Sequence, residues 1–309
     1  MLITKTNTVY KAFGLLIISD ILLPELPNVE NKIDSIDIEV RIKDLSELWL
    51  NLSDKQDEFV INKGLVMFQV PDIAIFAIQD GNKIFVSPMK EYEEDMIRLW
   101  ILGTCMGAIL MQRKVYPLHG SAVIINGKAY AFVGDSGAGK STLASAFMQQ
   151  GYQFLSDDVI AISFSSDTNS PVVIPSYPQQ KLWQDSLDNL GMGINNYRSI
   201  YGRETKYNVP VFSEYIAEPI PLEGVIELVK IENGEAGIRQ IEKLERFYTL
   251  YHHTFRNFLI QGLGLMEWHF MTSAAILNKV DLYELCRPAR GYSAPQLVSL
   301  ILKTINKGE

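Results

Sequence analysis

Hydrophobic and polar positions change places in short runs over the first ninety residues. Between Tyr10 and about Pro88 the chain reads "GLLIISD", "IDIEVRI", "LVMFQV", "IAIFAI" and "KIFVSP", with Pro, Asn, Asp and Gly between the runs. Runs of this length bounded by turn formers predict strands, so the N-terminal region is expected to be a mostly β module. The period then lengthens. From about Glu91 to Arg113 the pattern predicts a helix with acidic residues in its first turn and basic residues in its last, as the helix dipole favours. Its apolar stretch, "LWILGTCMGAILM" from Leu99 to Met111, is well short of the ~20 residues of a membrane span and reads as a buried helix.

Strands return beyond Leu118. "SAVIINGKAYAFVG" contains Asn126-Gly127, a strong two-residue hairpin signal, and the register it sets puts His119 opposite Gly134. "STLASAFMQQ" predicts a helix with Leu143, Ala146 and Phe147 on one face, closed by Gly151 as its C′ residue. That helix of about ten residues spans ~15 Å and the strand "YQFLS" about 16 Å, so a right-handed crossover would return the chain to its starting edge. Asp157 and Asp158 are then expected beside the loop that begins at Gly134. Further on, Glu242 to Phe270 reads as a long aromatic-rich helical pattern, "VDLYELC" as a strand, and Ser293 as the N-cap of a last helix with Pro295 in its first turn.

The 309 residues are 47% hydrophobic, enough for a full core. The expected division is a β-rich module with its linking helix over 1–115 and an α/β domain over 116–309, without a linker between them. A net charge of −8 and no dense run of Lys or Arg argue against nucleic acid as a partner. Cys105 and Cys286 are the only cysteines and form no CxxC, which argues against a disulfide framework or structural zinc and fits a reducing cytoplasm. "MLITKTNTVYKAFGLLIISD" has no cleavage signal after its short apolar run, and reads as strand rather than leader. No membrane partner is expected.

The chemistry gathers around one loop. Gly134, Gly139, Lys140 and Ser141 fit G-x-x-x-x-G-K-[ST], the phosphate-cradling P-loop, between a strand and a helix as that motif requires. Gly134, Asp135, Ser136, Gly137, Ala138, Gly139, Lys140, Ser141 and Thr142 are therefore the expected nucleotide-binding residues, with ATP and Mg2+ as cofactors. Two adjacent carboxylates beside a Mg-nucleotide suggest divided labour, one holding metal and one meeting a substrate hydroxyl, although both could serve the metal. His119, converging on the same edge, could hold and tune a catalytic aspartate. Water-driven hydrolysis uses similar parts, so the loop alone does not prove a kinase. Lys206 or Arg203 could touch phosphate or a peptide carboxylate but read first as solvated charges; Arg287 and Arg290 could contact nucleotide or peptide but read first as a surface turn; Leu182 with Trp183 could line a peptide groove or simply be buried. His252 and His253 do not share a helix face, so no metal pair is expected there.

The segments "LHGSAV", "GDSGAGKSTLA" and "GYQFLSDDV" together resemble the HPr kinase/phosphorylase family, and in particular its HPr-kinase-like members associated with lasso-peptide biosynthesis. Weaker likeness extends to "YKAFGLLIISDILLPEL", "KLWQDSLDNLG", "ETKYNV" and "LYELCRPARGY". The resemblance implies an α/β P-loop kinase core of the HPr kinase type, with the β-rich module before it and a helical C-terminal region. It implies Asp157 as the general base toward a serine hydroxyl, with Lys140 on the transferred phosphoryl group and Ser141 and Asp158 on Mg2+; which aspartate plays which part stays open. The acceptor it implies is the C-terminal Ser of a precursor peptide. The alternatives are an HPr-type protein serine kinase and a non-catalytic nucleotide-binding regulatory module; self-association is left open. Thr142 stands where bifunctional HPr enzymes carry Glu, so the likeness does not extend to phosphorylase action.

Overall fold

The short apolar runs of the N-terminal region form strands β1 (Val9–Ala12), β2 (Leu15–Ser19), β3 (Asn28–Val29), β4 (Ile38–Ile42), β5 (Phe59–Asn62), β6 (Leu65–Val70), β7 (Ala74–Gln79) and β8 (Lys83–Pro88), with helix α1 (Ser46–Leu52) between β4 and β5. In the computed structural model, which describes residues 8–30, 35–54, 58–90, 93–200 and 203–306, they make one eight-stranded sheet in the order β3-β1-β2-β4-β8-β7-β6-β5. Alternation explains its sidedness. Met67, Ile75 and Ala77 face α1 and meet Leu45 and Trp49, while Val66, Phe68, Phe76 and Ile78, on alternate positions, are buried as well. Both faces of β6 and β7 are thus covered, which is why these runs read as continuous apolar stretches.

The expected helix over 91–113 is α2 (Glu94–Trp100), a π-helical segment (Ile101–Cys105) and α3 (Met106–Gln112); Glu91 and Tyr92 lie outside the described residues. The widened turn differs from the uniform helix that the periodicity predicts. Within it Thr104 accepts a hydrogen bond from Arg256 Nη2 at 3.2 Å, and every residue from Ile101 to Met111 is buried, as expected of the apolar stretch. Among the described residues, no helix is long and apolar enough to cross a membrane.

The remaining elements are β9 (Tyr116–Ile125), β10 (Lys128–Gly134), α4 (Lys140–Gln149), β11 (Gln153–Ser156), β12 (Val159–Phe164), β13 (Pro171–Ile174), β14 (Gln179–Trp183), α5 (Gln184–Asn189), β15 (Arg198–Ile200), β16 (Arg203–Pro210), β17 (Ile220–Ile231), β18 (Gly237–Gln240), α6 (Glu245–His252), α7 (Phe258–Gly262), α8 (Met266–Leu277), β19 (Asp281–Pro288) and α9 (Ala294–Ile305). The chain folds as two compact units, one of residues 1–117 with 256–270 and the other of 118–255 with 271–309. The second unit is a mixed α/β fold built on the order β10-β9-β12-β13-β17-β19-β18, with β10 also paired in parallel to β17 and β11 to β9. A separate small sheet runs β14-β16-β15.

The β9–β10 hairpin has the register that Asn126-Gly127 dictates. Lys128 pairs with Ile125 and Val133 with Gly120, so the next positions along the ladder are His119 and Gly134; the turn residues have φ of 50° and 75°, the left-handed pair of a type I′ turn. Helix α4 ends as its Gly151 predicts. That glycine has φ 88°, its N–H donates to Met148 O at 2.9 Å, and Tyr152 N–H donates to Phe147 O at 3.2 Å, the paired bonds of a Schellman cap. Its apolar face, Leu143, Ala146 and Phe147, is buried with Phe132, Leu228, Val298 and Ile301. β11 comes back parallel to β10 because both are antiparallel to β9, which lies between them. The long helical pattern over 242–270 is instead three helices. Arg256 and Gly264 have φ of 51° and 69°, which a continuing helix forbids, and Thr254 leaves the helix to bridge Leu118.

Candidate active site

The loop between β10 and α4 takes its shape from its glycines. Gly134, Gly137 and Gly139 have φ of 141°, 78° and 104°, and a Cβ on Gly134 would lie 2.6 Å from Leu228 O. Only glycine fits there, since the parallel neighbour β17 leaves no room. Helix α4 starts at Lys140 and so directs its first N–H groups at the loop, a ready anion site. Lys140 Nζ donates to Gly134 O at 2.7 Å and to Asp135 O at 3.0 Å. Burial lowers its pKa, against the pull of Asp157 and Asp158.

The two aspartates are held in opposite ways. Asp157 is 5% exposed. Its Oδ1 accepts from Ser141 Oγ at 2.8 Å and from Ser121 Oγ at 2.5 Å, and its Oδ2 accepts from the Lys181 N–H at 2.8 Å. Asp158 is half-buried and has φ 69°. The Val159 N–H donates to Asp157 O across it at 2.9 Å, which makes Asp158 the centre of a γ-turn of the rare positive-φ kind. A strained non-glycine residue of this sort persists only where its surroundings over-determine it. Here they do: Lys181 Nζ donates to Asp158 Oδ2 at 2.7 Å, and Asp158 O accepts from the ring of His119 at 2.9 Å and from the Gly120 N–H at 3.3 Å. Burial would raise the Asp158 carboxyl, but Lys181 and His119 overcome it and hold the group far below the usual carboxylate range. Burial likewise works against the Lys181 ammonium, and Asp158 more than reverses it, so Lys181 stays charged.

His119 Nδ1 faces a carbonyl, which can only accept, so Nδ1 carries the proton and Nε2 the lone pair. Burial lowers its pKa, with Asp158 opposing, which favours the neutral ring.

These groups line one cavity of about 630 Å3. Ser136, Gly137, Gly139, Lys140, Ser141 and Thr142 of the expected cradle line it, together with His119, Asp157 and Asp158. Gly134 and Ala138 are buried behind the loop, and the Asp135 side chain is 85% exposed and turned toward His252. The opposite wall is β14 and α5, packed on the cluster of Phe154, Leu182, Leu187 and Val209. Gln180 clamps that wall to α4, accepting from Ser145 Oγ at 2.6 Å and donating to Ser141 O at 2.9 Å. Thr142 Oγ1 lies 2.7 Å from Ser186 Oγ.

Several residues whose pattern reads as surface lie in the site. Lys206 lines the cavity with its ammonium 5.4 Å from the Trp183 ring centroid. Arg287, at the end of β19, lines it too and donates to Ala138 O at 2.6 Å and Gly137 O at 3.3 Å. The surface-turn reading fails for Arg287 because β19 runs parallel to β17 toward the loop; Arg290 is exposed. Of Arg203 only the backbone, in β16, is described. Lys230 also lines the cavity, and no local pattern in the sequence marks it. Nor does any local pattern mark Lys181, which stands in the mostly polar "QQKLW"; its buried cation is matched by the Asp158 carboxylate.

The donor set fits a Mg-nucleotide. A loop whose Gly134, Gly137 and Gly139 all have positive φ, a hydroxyl and a carboxylate in contact at Ser141 and Asp157, and the cations Lys140, Lys230 and Arg287 around the loop match a polyphosphate and a hard divalent ion.

Part of the chain is similar to known proteins. Residues 111–210 match the family described as HPr Serine kinase C-terminal domain. An HPr kinase/phosphorylase of Azoarcus sp. (strain BH72) is 34% identical over 85 residues, 28% of this chain and 26% of the relative. One of Mycoplasmopsis pulmonis is 38% identical over 64 residues, 20% and 21% of the two chains. The chain thus spans about a quarter of the length of the curated relatives it matches. The structure of the Hpr(Ser) kinase/phosphatase from Coxiella burnetii aligns over 62% of this chain and 91% of that one, at 16% identity and a TM-score of 0.33. Residues 111–210, which carry the P-loop and the aspartate pair, are accordingly related to the HPr kinase/phosphorylase family.

Proposed function

We propose that this chain transfers the γ-phosphoryl group of ATP to a serine hydroxyl, the acceptor being the C-terminal Ser of a ribosomally made precursor peptide. The observation that carries the reading is the convergence of Ser141, Asp157, Asp158, Lys140 and His119 on one cavity. Mg2+-bound ATP supplies the phosphoryl donor and the charge neutralisation that a loose phosphoryl-transfer transition state requires. Ser141 and Asp157 hold the metal, since their oxygens already share one locus. Lys140 neutralises the outer phosphate oxygens, and Arg287 fixes the loop by its bonds to Ala138 O and Gly137 O.

Asp158 then faces the acceptor and takes the serine proton. This reverses the division that the family resemblance implies, and the Ser141–Asp157 contact supports the reversal. A strongly acidic carboxyl suffices as base because in a loose transition state the hydroxyl loses its proton late. His119 holds the Asp158 carbonyl through Nδ1, and Lys181 keeps the carboxylate ionised and aimed.

The test is intact-mass analysis after incubation with Mg-ATP of peptides ending in Ser, Ala or Ser-amide, with HPr alongside and Lys140→Ala as control. A single phosphate-sized gain confined to Ser-ending peptides is expected. A gain on HPr alone identifies an HPr-type kinase, which the match over 111–210 favours as the second reading. No product with any acceptor, while nucleotide still binds, refutes transfer.

A further inference from the structure

Outside the cavity, the second residue of the P-loop meets the end of α6. Asp135 Oδ1 lies 3.3 Å from His252 Nε2, the rings of His252 and His253 are 4.7 Å apart at 76°, and one ligand atom from each of the three residues lies within 4.8 Å of the others. No metal pair is expected here from the sequence, because adjacent residues of a helix point apart, yet the structure groups the two rings with Asp135. α6 stops at His252, and His253 follows as its C-cap with φ −93° and ψ 7°; the ligand atoms of both rings are within reach of the Asp135 carboxylate.

We propose that Asp135, His252 and His253 form a binding site for a divalent transition-metal ion of the zinc type. Two ligands at about 2.0–2.1 Å from a tetrahedral zinc are about 3.4 Å apart, and Asp135 and His252 already have that separation. His253 is 5% exposed and its Nε2 lies 2.7 Å from Glu227 Oε1, while Glu227 Oε2 accepts from Thr249 Oγ1 at 3.2 Å. A carboxylate so oriented on an imidazole is the usual support of a metal-binding histidine: it fixes the tautomer and raises the basicity of the ring. Two imidazoles and one carboxylate select zinc-type ions over Mg2+, which prefers oxygen and water. Three protein ligands leave a fourth position open. The site also has a place in the fold that gives a bound ion leverage, because Asp135 follows Gly134 in the phosphate loop and His253 O accepts the N–H of His119 at 2.8 Å. An ion here ties the loop to the segment that positions His119. The inference is independent of which acceptor is phosphorylated.

The experiment is titration of metal-stripped full-length protein with Zn2+ against a chromophoric chelator, with Mg2+ in excess to occupy Ser141 and Asp157. One equivalent is expected to bind. His252→Ala, at an exposed position, weakens it at least tenfold, and Glu227→Gln weakens it about 10–100-fold. Co2+ in place of Zn2+ gives the visible absorption of a tetrahedral site in the wild type and not in His252→Ala. Absence of Zn2+ binding, or binding that both Asp135→Asn and His252→Ala leave unchanged, overturns the proposal. Circular dichroism of the variants separates loss of ligands from loss of fold.

Discussion

Asp157 has both carboxylate oxygens engaged by hydroxyls and a backbone N–H, whereas Asp158 is aimed by a lysine from a strained turn. Their substitutions should therefore fail differently. Asp158→Asn keeps the shape but removes the proton acceptor, and is expected to lower kcat by ~10²–10⁴-fold with little change in the KM for ATP. Asp157→Asn is expected to raise the Mg2+ concentration needed for half-maximal rate and to recover part of its activity when Mg2+ is raised. Steady-state kinetics over a Mg2+ series decides between them. If Asp157→Asn is dead at every Mg2+ level and Asp158→Asn is rescued by metal, the roles are those that the resemblance implies. The residues of the phosphate loop and the aspartate pair are legible in the sequence because a spacing defines them. Arg287 and Lys206 are legible there only as alternatives to a surface reading, because what makes them site residues is the pairing of β19 with β17 and of β16 with β14, which joins residues far apart in the chain.

At the scale of elements, the β9–β10 hairpin places His119 at the phosphate loop, and two of its glycines do different work. Gly127 has φ 75° with nothing within 4 Å of where a Cβ would sit, so Gly127→Ala meets only the left-handed backbone cost, roughly 1 kcal/mol. Gly120 has an ordinary backbone, but a Cβ on it would lie 2.2 Å from Phe132 O and 3.0 Å from Ile160 Cδ1. Gly120→Ala is expected to cost about 3 kcal/mol or more, because the obstructing atom is backbone of the paired strand and cannot swing away. Urea unfolding of both variants measures the difference, and equal losses would show that the strands separate freely at Gly120. The hairpin is readable in advance because its turn residues are local. The π-helical turn at Ile101–Cys105 and the breaks at Arg256 and Gly264 are not. Aromatic periodicity continues across 242–270, and the interruption comes from tertiary pairing, Thr254 with Leu118 and Arg256 with Thr104.

For the whole molecule, each unit contains a histidine whose pKa is lowered by burial. In the first, His269 is 4% exposed, stacks on Tyr116 at 4.7 Å, and is pushed down to about 4. In the second, His119 is lowered in the same direction. The sign follows from proton counting. Between the folded value and the unfolded value near 6.5, the unfolded chain binds more protons, so stability rises with pH through that window and is lost as the solution is acidified. Asp158 adds a later loss in the same direction, below the ordinary carboxylate pKa of about 3.9. For the buried His269 the shift corresponds to roughly 3 kcal/mol between pH 6.5 and 4. His269→Phe keeps a ring against Tyr116 and removes the titrating group. Its stability, measured by urea unfolding at a series of pH values, is expected to be flatter than the wild type by about that amount over pH 4–6.5. A wild-type slope in the variant would mean that the acid sensitivity of the chain lies elsewhere, with His119 the next histidine to replace.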